Sequence, residues 1–274
     1  MHNAIMEVLH VDKAVIGMVH LPPLPGSPSY DGEDVNAIID KALRDAQALR
    51  DGGVDGLLIE NFWDMPYRSG SVKPSTIATM TVIAREIASL TGLPIGINVL
   101  RNDAVAALAI AKAVGGSFIR VNVYIEVMAT DQGIIEPCAY RVQMAKKMYH
   151  AKNIKVFADI NVKHGAPIAP RPIDEVAEDA IERGLADAII LTGSRTGLAP
   201  SVSDIVKVRE RLPNTPIIIG SGCTPENIEI LFKYANAVIV GSYFKESGLS
   251  SPVSRQKVEK FMAKVKEIRR KSGQ

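Results

Sequence analysis

The chain has 274 residues, 47% hydrophobic and 23% charged, with 21 Gly and 16 Pro, which is ordinary globular usage and excludes a disordered, collagen-like or coiled-coil chain. Lys and Arg total 32 against 30 Asp and Glu, so the net charge of +2 supplies no overall field to hold a polyanion, and nucleic acid is not an expected partner. The two cysteines, Cys138 and Cys223, lie outside any metal-type Cys/His spacing, which excludes a disulfide scaffold or zinc module and fits a reducing cytoplasm.

The opening segment MHNAIMEVLHVDKAVIGMVH lacks a basic n-region and a small-residue cleavage site, so no secretion signal is expected. The longest apolar stretch, within residues 104–114, contains Lys112 and falls short of the roughly 20 residues that span a bilayer. No membrane insertion is expected.

From there, short β-branched runs alternate with longer amphipathic stretches. Strands are predicted at residues 14–20, 55–60, 94–100, 117–123, 155–161, 187–192, 215–220 and 236–241. Helical patterns lie between them, among them 33–53, 75–92, 102–116, 172–184 and 224–235, each closing at or near Gly or a turn. A C-terminal helix is expected over residues 253–270. No composition shift or linker divides the chain, so the expected architecture is α/β, a single (β/α)8 TIM barrel spanning residues 1–274. A doubly wound open sheet is the alternative. It usually carries G-x-G-x-x-G after its first strand, whereas here that strand runs into HLPPLPGSPSY.

Side chains two apart on a strand share a face, so polar residues near each strand end can be matched with the apolar residues behind them. His20 shares a face with Met18 and Ile16, Glu60 with Leu58, Asn98 with Gly96, Asn122 with Arg120 and Phe118, Asp159 and Asn161 with Phe157, and Thr192 with Ile190. All fall where barrel enzymes place catalytic groups. Singly, Asn98 or Asn122 would serve equally to bind loop backbone, and Arg120 with Glu60 or Asp159 would serve as a structural ion pair. Six strands ending in polar groups at one rim predict a ligand site.

Two later segments, IIIGSGCTPENI and VIVGSYFK, each put Gly-Ser directly after a buried strand. Glycine lets backbone N–H groups approach an anion, serine adds a donor, and Thr224-Pro225 reads as an N-cap with proline at the first helical position. Gly220, Ser221, Gly222, Gly241 and Ser242 are therefore the candidate phosphate cradle, at the loops after strands 7 and 8 where barrels commonly hold phosphate. The alternative is that these glycines only make tight turns. In the sixth loop, LTGSRTGLAPS, Gly193 joins the cradle, and Arg195 is placed to bring a guanidinium over it.

The loops after strands 1 and 2 are long and hold Tyr30, Trp63, Tyr67 and Arg68, with Trp63 expected to pack under its loop rather than stack on a ligand. ADINVKHG groups Asp159, Lys163 and His164 for proton transfer, with Asp159 as acid or base and Glu60, His20 or His164 assisting. Lys163 is read as lying past the strand end, beside polar residues, without an apolar pocket to lower its pKa. No cofactor is predicted, although Glu60, Asp159 and His164 form the set that would hold a divalent metal.

GMVHLPPLPGSP, DGLLIENFWDMPY, GINVLRND, FIRVNV, ADINVKH and ADAIILTGSRTG together resemble the BtpA family, which includes SgcQ-like proteins, and the resemblance covers nearly the whole chain. It implies a ribulose-phosphate-binding type of TIM barrel, with phosphate at Gly220-Ser221-Gly222 and Gly241-Ser242. The polar rim and the Gly-Ser loops predict an enzyme of a phosphorylated sugar or nucleoside-like metabolite, with isomerisation, lyase or glycosidic chemistry, and the resemblance adds two alternatives: an assembly factor like the family's photosystem I namesake, or an activity like phosphoribosylanthranilate isomerase. The last uses a Cys base at the end of the first strand, where this chain has His20. The expected partner is a small phosphorylated metabolite, with homo-oligomerisation left open.

Overall fold

In the computed structural model, which describes residues 3–160 and 162–273, eight parallel strands follow one another around a closed barrel. They are β1 (Ala14–His20), β2 (Gly56–Glu60), β3 (Ile95–Asn98), β4 (Phe118–Val121), β5 (Lys155–Asp159), β6 (Ala188–Leu191), β7 (Ile217–Ile219) and β8 (Ala237–Val240). β8 returns to β1 with Ala14 opposite Ala237, which closes the sheet and rules out the doubly wound alternative.

The helices are α1 (Ala4–Leu9), α2 (Val35–Gly52), α3 (Pro74–Thr91), α4 (Ala104–Val114), α5 (Ala139–Met148), α6 (Ile173–Glu182), α7 (Val202–Arg211), α8 (Ile228–Leu231) and α9 (Arg255–Lys271). The strand period of two divides the apolar residues cleanly. Val15, Leu57, Ile97, Ile119, Val156, Ile189, Ile217 and Val238 face outward into the layer that the helices cover. Ile16, Met18, Leu58, Phe118, Phe157, Ile190, Ile218 and Ile239 fill the barrel interior. Gly96 leaves room there for an aromatic ring, since a Cβ on it would stand 2.1 Å from Phe118 Cε2, and Phe118 stacks on Phe157 at 4.7 Å.

Two features were not read from the sequence. Helix α1, capped by Asn3, sends Ala4, Ile5, Val8 and Leu9 into the same interior cluster and so plugs the N-terminal end of the barrel. At the other end, residues 128–130, 133–135 and 165–167 form a small antiparallel sheet from the loops after β4 and β5, packed through Val123, Met128, Ile135 and Val162. One local expectation is corrected. Helix α8 begins at Ile228 behind Asn227, while Thr224 opens the preceding turn, its carbonyl accepting from Ile228 N–H at 3.1 Å. Among the described residues no helix is long and apolar enough to cross a membrane.

Candidate active site

The inward parity of the strands carries a polar layer above the apolar interior. His20 pairs in register with Glu60, and Glu60 with Asn98, so three polar side chains stand on adjacent strands at the C-terminal mouth. On β4 and β5 the guanidinium of Arg120 donates from Nε and Nη2 to the two oxygens of Asp159, each at 3.0 Å. Asn122 Nδ2 donates to Asp159 Oδ2 at 3.0 Å, and Asn98 Nδ2 donates to Asn122 Oδ1 at 3.0 Å and to the Arg120 carbonyl at 3.1 Å. These four residues form one buried network.

The two carboxylates are treated differently by it. Asp159 has both oxygens engaged, whereas Glu60 Oε2 stands 4.0 Å from Arg120 Nη1. Burial pushes the Glu60 carboxyl above its ordinary value, with Arg120 and Lys163 opposing. Arg120 is driven down by burial but held above its usual range by Asp159 and Glu60.

His20 is held by Phe62, with ring centroids 4.4 Å apart, and its buried Nδ1 has no partner among the described residues. Burial, and then Lys245, Lys163 and Arg120, push the imidazole down to about 3, so it is neutral near pH 7. The expectation for Lys163 is overturned. Burial, reinforced by Arg120, lowers its ammonium to about 8, because the chain past β5 folds back over the mouth and brings Nζ within 3.4 Å of the Gly220 carbonyl oxygen.

One cavity is lined at once by Glu60, Arg120 and Lys163 and by Gly220, Ser221, Gly222, Gly241 and Ser242. A neighbouring cavity shares Glu60, Arg120 and Lys163 and extends to Asn122, Asp159 and His164. The carboxylate cluster and the Gly-Ser loops therefore meet in a single opening. Within the cradle the glycines are sterically required. A Cβ on Gly241 would stand 2.9 Å from His20 Cε1, and one on Gly222, at φ +70°, would stand 2.1 Å from Ala199 N. Ser221 spends its hydroxyl within the chain, donating to the Leu198 carbonyl at 2.6 Å and accepting from Gly193 N–H at 3.1 Å. That side chain ties the β6 loop to the β7 loop, so its hydroxyl is not free toward the recess, whereas the Ser242 side chain is exposed.

Other candidates fall elsewhere. Arg195 is exposed and lines neither cavity; Thr196 and Gly197 of the same loop line the first. Thr192 is buried beneath Gly220, with its Cγ2 2.8 Å from where a Gly220 Cβ would be. His164 is exposed at the rim. Asn161 lies outside the described residues. Among the described residues, no three His, Cys, Asp or Glu side chains form a metal-holding group, so Glu60, Asp159 and His164 do not assemble as the ligand set considered above. Tyr67, expected in a loop at the mouth, lines it together with Phe62 and Arg101, which the sequence reading does not single out. Phe62 shares parity with Glu60 and was within reach of the same rule. Arg101 lies past the end of β3, where parity no longer applies; it donates to the Lys163 carbonyl and, at 3.2 Å, to Gln132 of the small sheet.

Fold and site together define a (β/α)8 barrel whose C-terminal mouth joins a buried guanidinium–carboxylate network to a glycine-walled recess. The chain belongs to the BtpA family, whose profile matches residues 11–267. It is 43% identical over 244 residues to the photosystem I biogenesis protein BtpA of Synechocystis, covering 89% of this chain and 84% of that one. The barrel is similar to phosphoribosyl anthranilate isomerase from Thermus thermophilus, with a TM-score of 0.57 at 14% identity over 93% of this chain and 99% of that one. It is also similar to orotidine 5'-phosphate decarboxylase from Pyrococcus horikoshii, with a TM-score of 0.54 at 14% identity over 92% and 99% of the two chains.

Proposed function

We infer that the protein is an enzyme acting on a phosphorylated sugar or nucleoside-like metabolite by isomerisation, lyase or glycosidic chemistry. The observation that carries this reading is the shared cavity, in which Glu60, Arg120 and Lys163 face the Gly-Ser loops after β7 and β8. Backbone amides there suit a phosphate, and a cation across the opening completes its charge. Holding the phosphate at one side fixes the reacting carbons at the other, which is how remote binding energy lowers a barrier.

Roles follow from the environments. Glu60, freer than Asp159 and raised by burial, is the general acid or base. Neutral His20 hydrogen-bonds a substrate oxygen. Lys163 and Arg120 stabilise negative charge on the phosphate or on an enediolate-like intermediate. Asp159 holds the Arg120 guanidinium in place. The two solved neighbours are named for enzymes of phosphoribosyl and nucleotide substrates, in keeping with this class. An activity like that of the isomerase is less well supported, because Cys138 and Cys223 are both buried with thiols pushed up to about 12. The name of the Synechocystis relative supports a second reading, a non-catalytic assembly factor.

The deciding experiment is thermal unfolding with ribose 5-phosphate, other sugar phosphates and nucleoside monophosphates. A ligand at a hundred times its Kd raises stability by about 2.7 kcal/mol, and Ser242→Asp, which sets a carboxylate at the cradle, abolishes the shift. No stabilisation by any phosphate ester would favour the assembly reading.

A further inference from the structure

A cavity of about 590 Å³ opens beside the mouth, between the loop after β1, helix α2 and the segment from Lys245 to Val253 that leads into α9. It adjoins the site described above, because His20 lines both this cavity and the glycine-walled one. Its walls combine flat apolar surface from Trp63, Pro22 and Pro23 with three cations, Lys41, Arg44 and Lys245. Asp45 is the one acid among the residues that line it.

That acid is already engaged. Asp45 Oδ2 lies 2.6 Å from Lys245 Nζ, and Oδ1 accepts from Val253 N–H at 2.8 Å. Lys41 is paired at 2.5 Å with Glu33, which does not line the cavity. Arg44 has no ion pair or hydrogen bond from its side chain among the described residues, and so presents an uncommitted guanidinium. Trp63 packs edge-on against Phe62, with centroids 5.1 Å apart, and Phe62 in turn packs on His20. An indole and an unpaired guanidinium lining one cavity suit a planar group carrying an anion: the ring stacks while the guanidinium takes the carboxylate or phosphate.

Size supports the same conclusion. Small-molecule sites typically enclose about 300–1,000 Å³, and a pentose phosphate seated at the β7 and β8 loops would leave this adjoining space empty. We propose that the cavity is a second subsite that takes a planar, anionic ring at the far end of the substrate, with His20 standing at the junction of the two halves. The proposal rests on the phosphate-ester reading and narrows it to two-ended molecules.

Trp63 is the single tryptophan of the chain, so its emission reports on this cavity directly. The intact protein is titrated with phthalate, a planar dianion without a phosphate ester; with AMP, which has ring and phosphate; and with ribose 5-phosphate, which has no ring. Phthalate and AMP are expected to change Trp63 emission, and Arg44→Glu, on the exposed side of α2, weakens phthalate by about tenfold or more and AMP, whose ring carries no charge, far less. Ser242→Asp weakens AMP and ribose 5-phosphate and leaves phthalate as it was. An unchanged urea midpoint shows that Arg44→Glu remains folded. The subsite is refuted if neither phthalate nor AMP alters the emission, or if phthalate titrates identically in Arg44→Glu; heat stabilisation by ribose 5-phosphate would then leave the phosphate reading standing. A phthalate response without any stabilisation by ribose 5-phosphate or AMP would overturn the phosphate reading and, with it, the link between the two subsites.

Discussion

Lys163, past the end of β5, reaches across the mouth to within 3.4 Å of the carbonyl oxygen of Gly220, at the end of β7. This contact puts a cation with a lowered pKa of about 8 against the recess proposed to hold phosphate, so on that reading anion binding should titrate near that value. Below pH 8 Lys163 is charged and attracts the phosphate; above it, affinity for ribose 5-phosphate falls by up to about tenfold per pH unit. Stability of the unliganded protein moves the other way. The unfolded chain keeps this proton up to about pH 10.5 while the folded one releases it near 8, so stability rises with pH between the two. Calorimetric titration at pH 7 and 9.5 checks the first effect and urea unfolding the second, and Lys163→Met removes both.

The Arg120–Asp159 pair is buried and bidentate, so breaking it costs more than forming it contributes. Asp159→Ala leaves the buried guanidinium without its bidentate partner, with only Glu60 at 4.0 Å, and is expected to lower stability by about 3 kcal/mol. Replacing the pair together, Arg120→Met with Asp159→Leu, should recover most of that loss, because the desolvation cost of both charges disappears. Ligand binding should not recover, since Arg120 lines the shared cavity. Urea denaturation of the two variants, followed by ligand-induced thermal shifts, separates the structural from the functional share.

His20 predicts an acid-side weakness. Its imidazole is held down to about 3 when folded and returns to about 6.5 when unfolded, so between these values only the unfolded chain takes up a proton. Stability therefore falls as the pH drops below 6.5, by up to about 1.4 kcal/mol per pH unit for this one group. The raised Glu60 works with opposite sign, since the folded state binds its proton first as the pH falls. The comparison that isolates His20 is the difference between the parent and His20→Gln from pH 6.5 to pH 5, where the variant should show the shallower decline.

Much of this site was legible because the strand period of two is a strict rule and the barrel interior is apolar. Once Met18, Leu58, Phe118 and Phe157 face inward, His20, Glu60, Arg120 and Asp159 must follow them to the mouth. What escaped depends on contacts across the loops. The lowered pKa of Lys163 comes from burial and from Arg120, forty-three positions earlier in the chain, and no local pattern records that encounter. The 128–130, 133–135 and 165–167 strands are three residues each, too short for alternation to show. The sequence offers the Ser221 hydroxyl as an anion donor, but in the fold Leu198 and Gly193 claim that hydroxyl. Trp63, expected to pack under its loop rather than meet a ligand, touches Phe62 edge-on but is only half-buried and lines a cavity formed with α2 and the 245–253 segment, which no local pattern records.

That β6–β7 tie makes a last prediction at Gly222. Its φ of +70° already disfavours a side chain, and a Cβ would stand 2.1 Å from Ala199 N and 2.5 Å from the Leu198 carbonyl carbon. Gly53 offers the control: its φ is +92°, yet nothing lies within 4 Å of its added Cβ. Gly53→Ala should lose only the left-handed backbone penalty, about 1–2 kcal/mol. Gly222→Ala should lose that and a further 1–3 kcal/mol, roughly, for forcing Leu198 and Ala199 outward and stretching the Ser221 bond to Leu198. Because the displaced loop also carries Thr196 and Gly197, which line the shared cavity, phosphate-ester affinity should fall in Gly222→Ala and hold in Gly53→Ala. Equal urea midpoints for the two variants would show that the β6 loop yields freely, and that it does not hold the cradle in place.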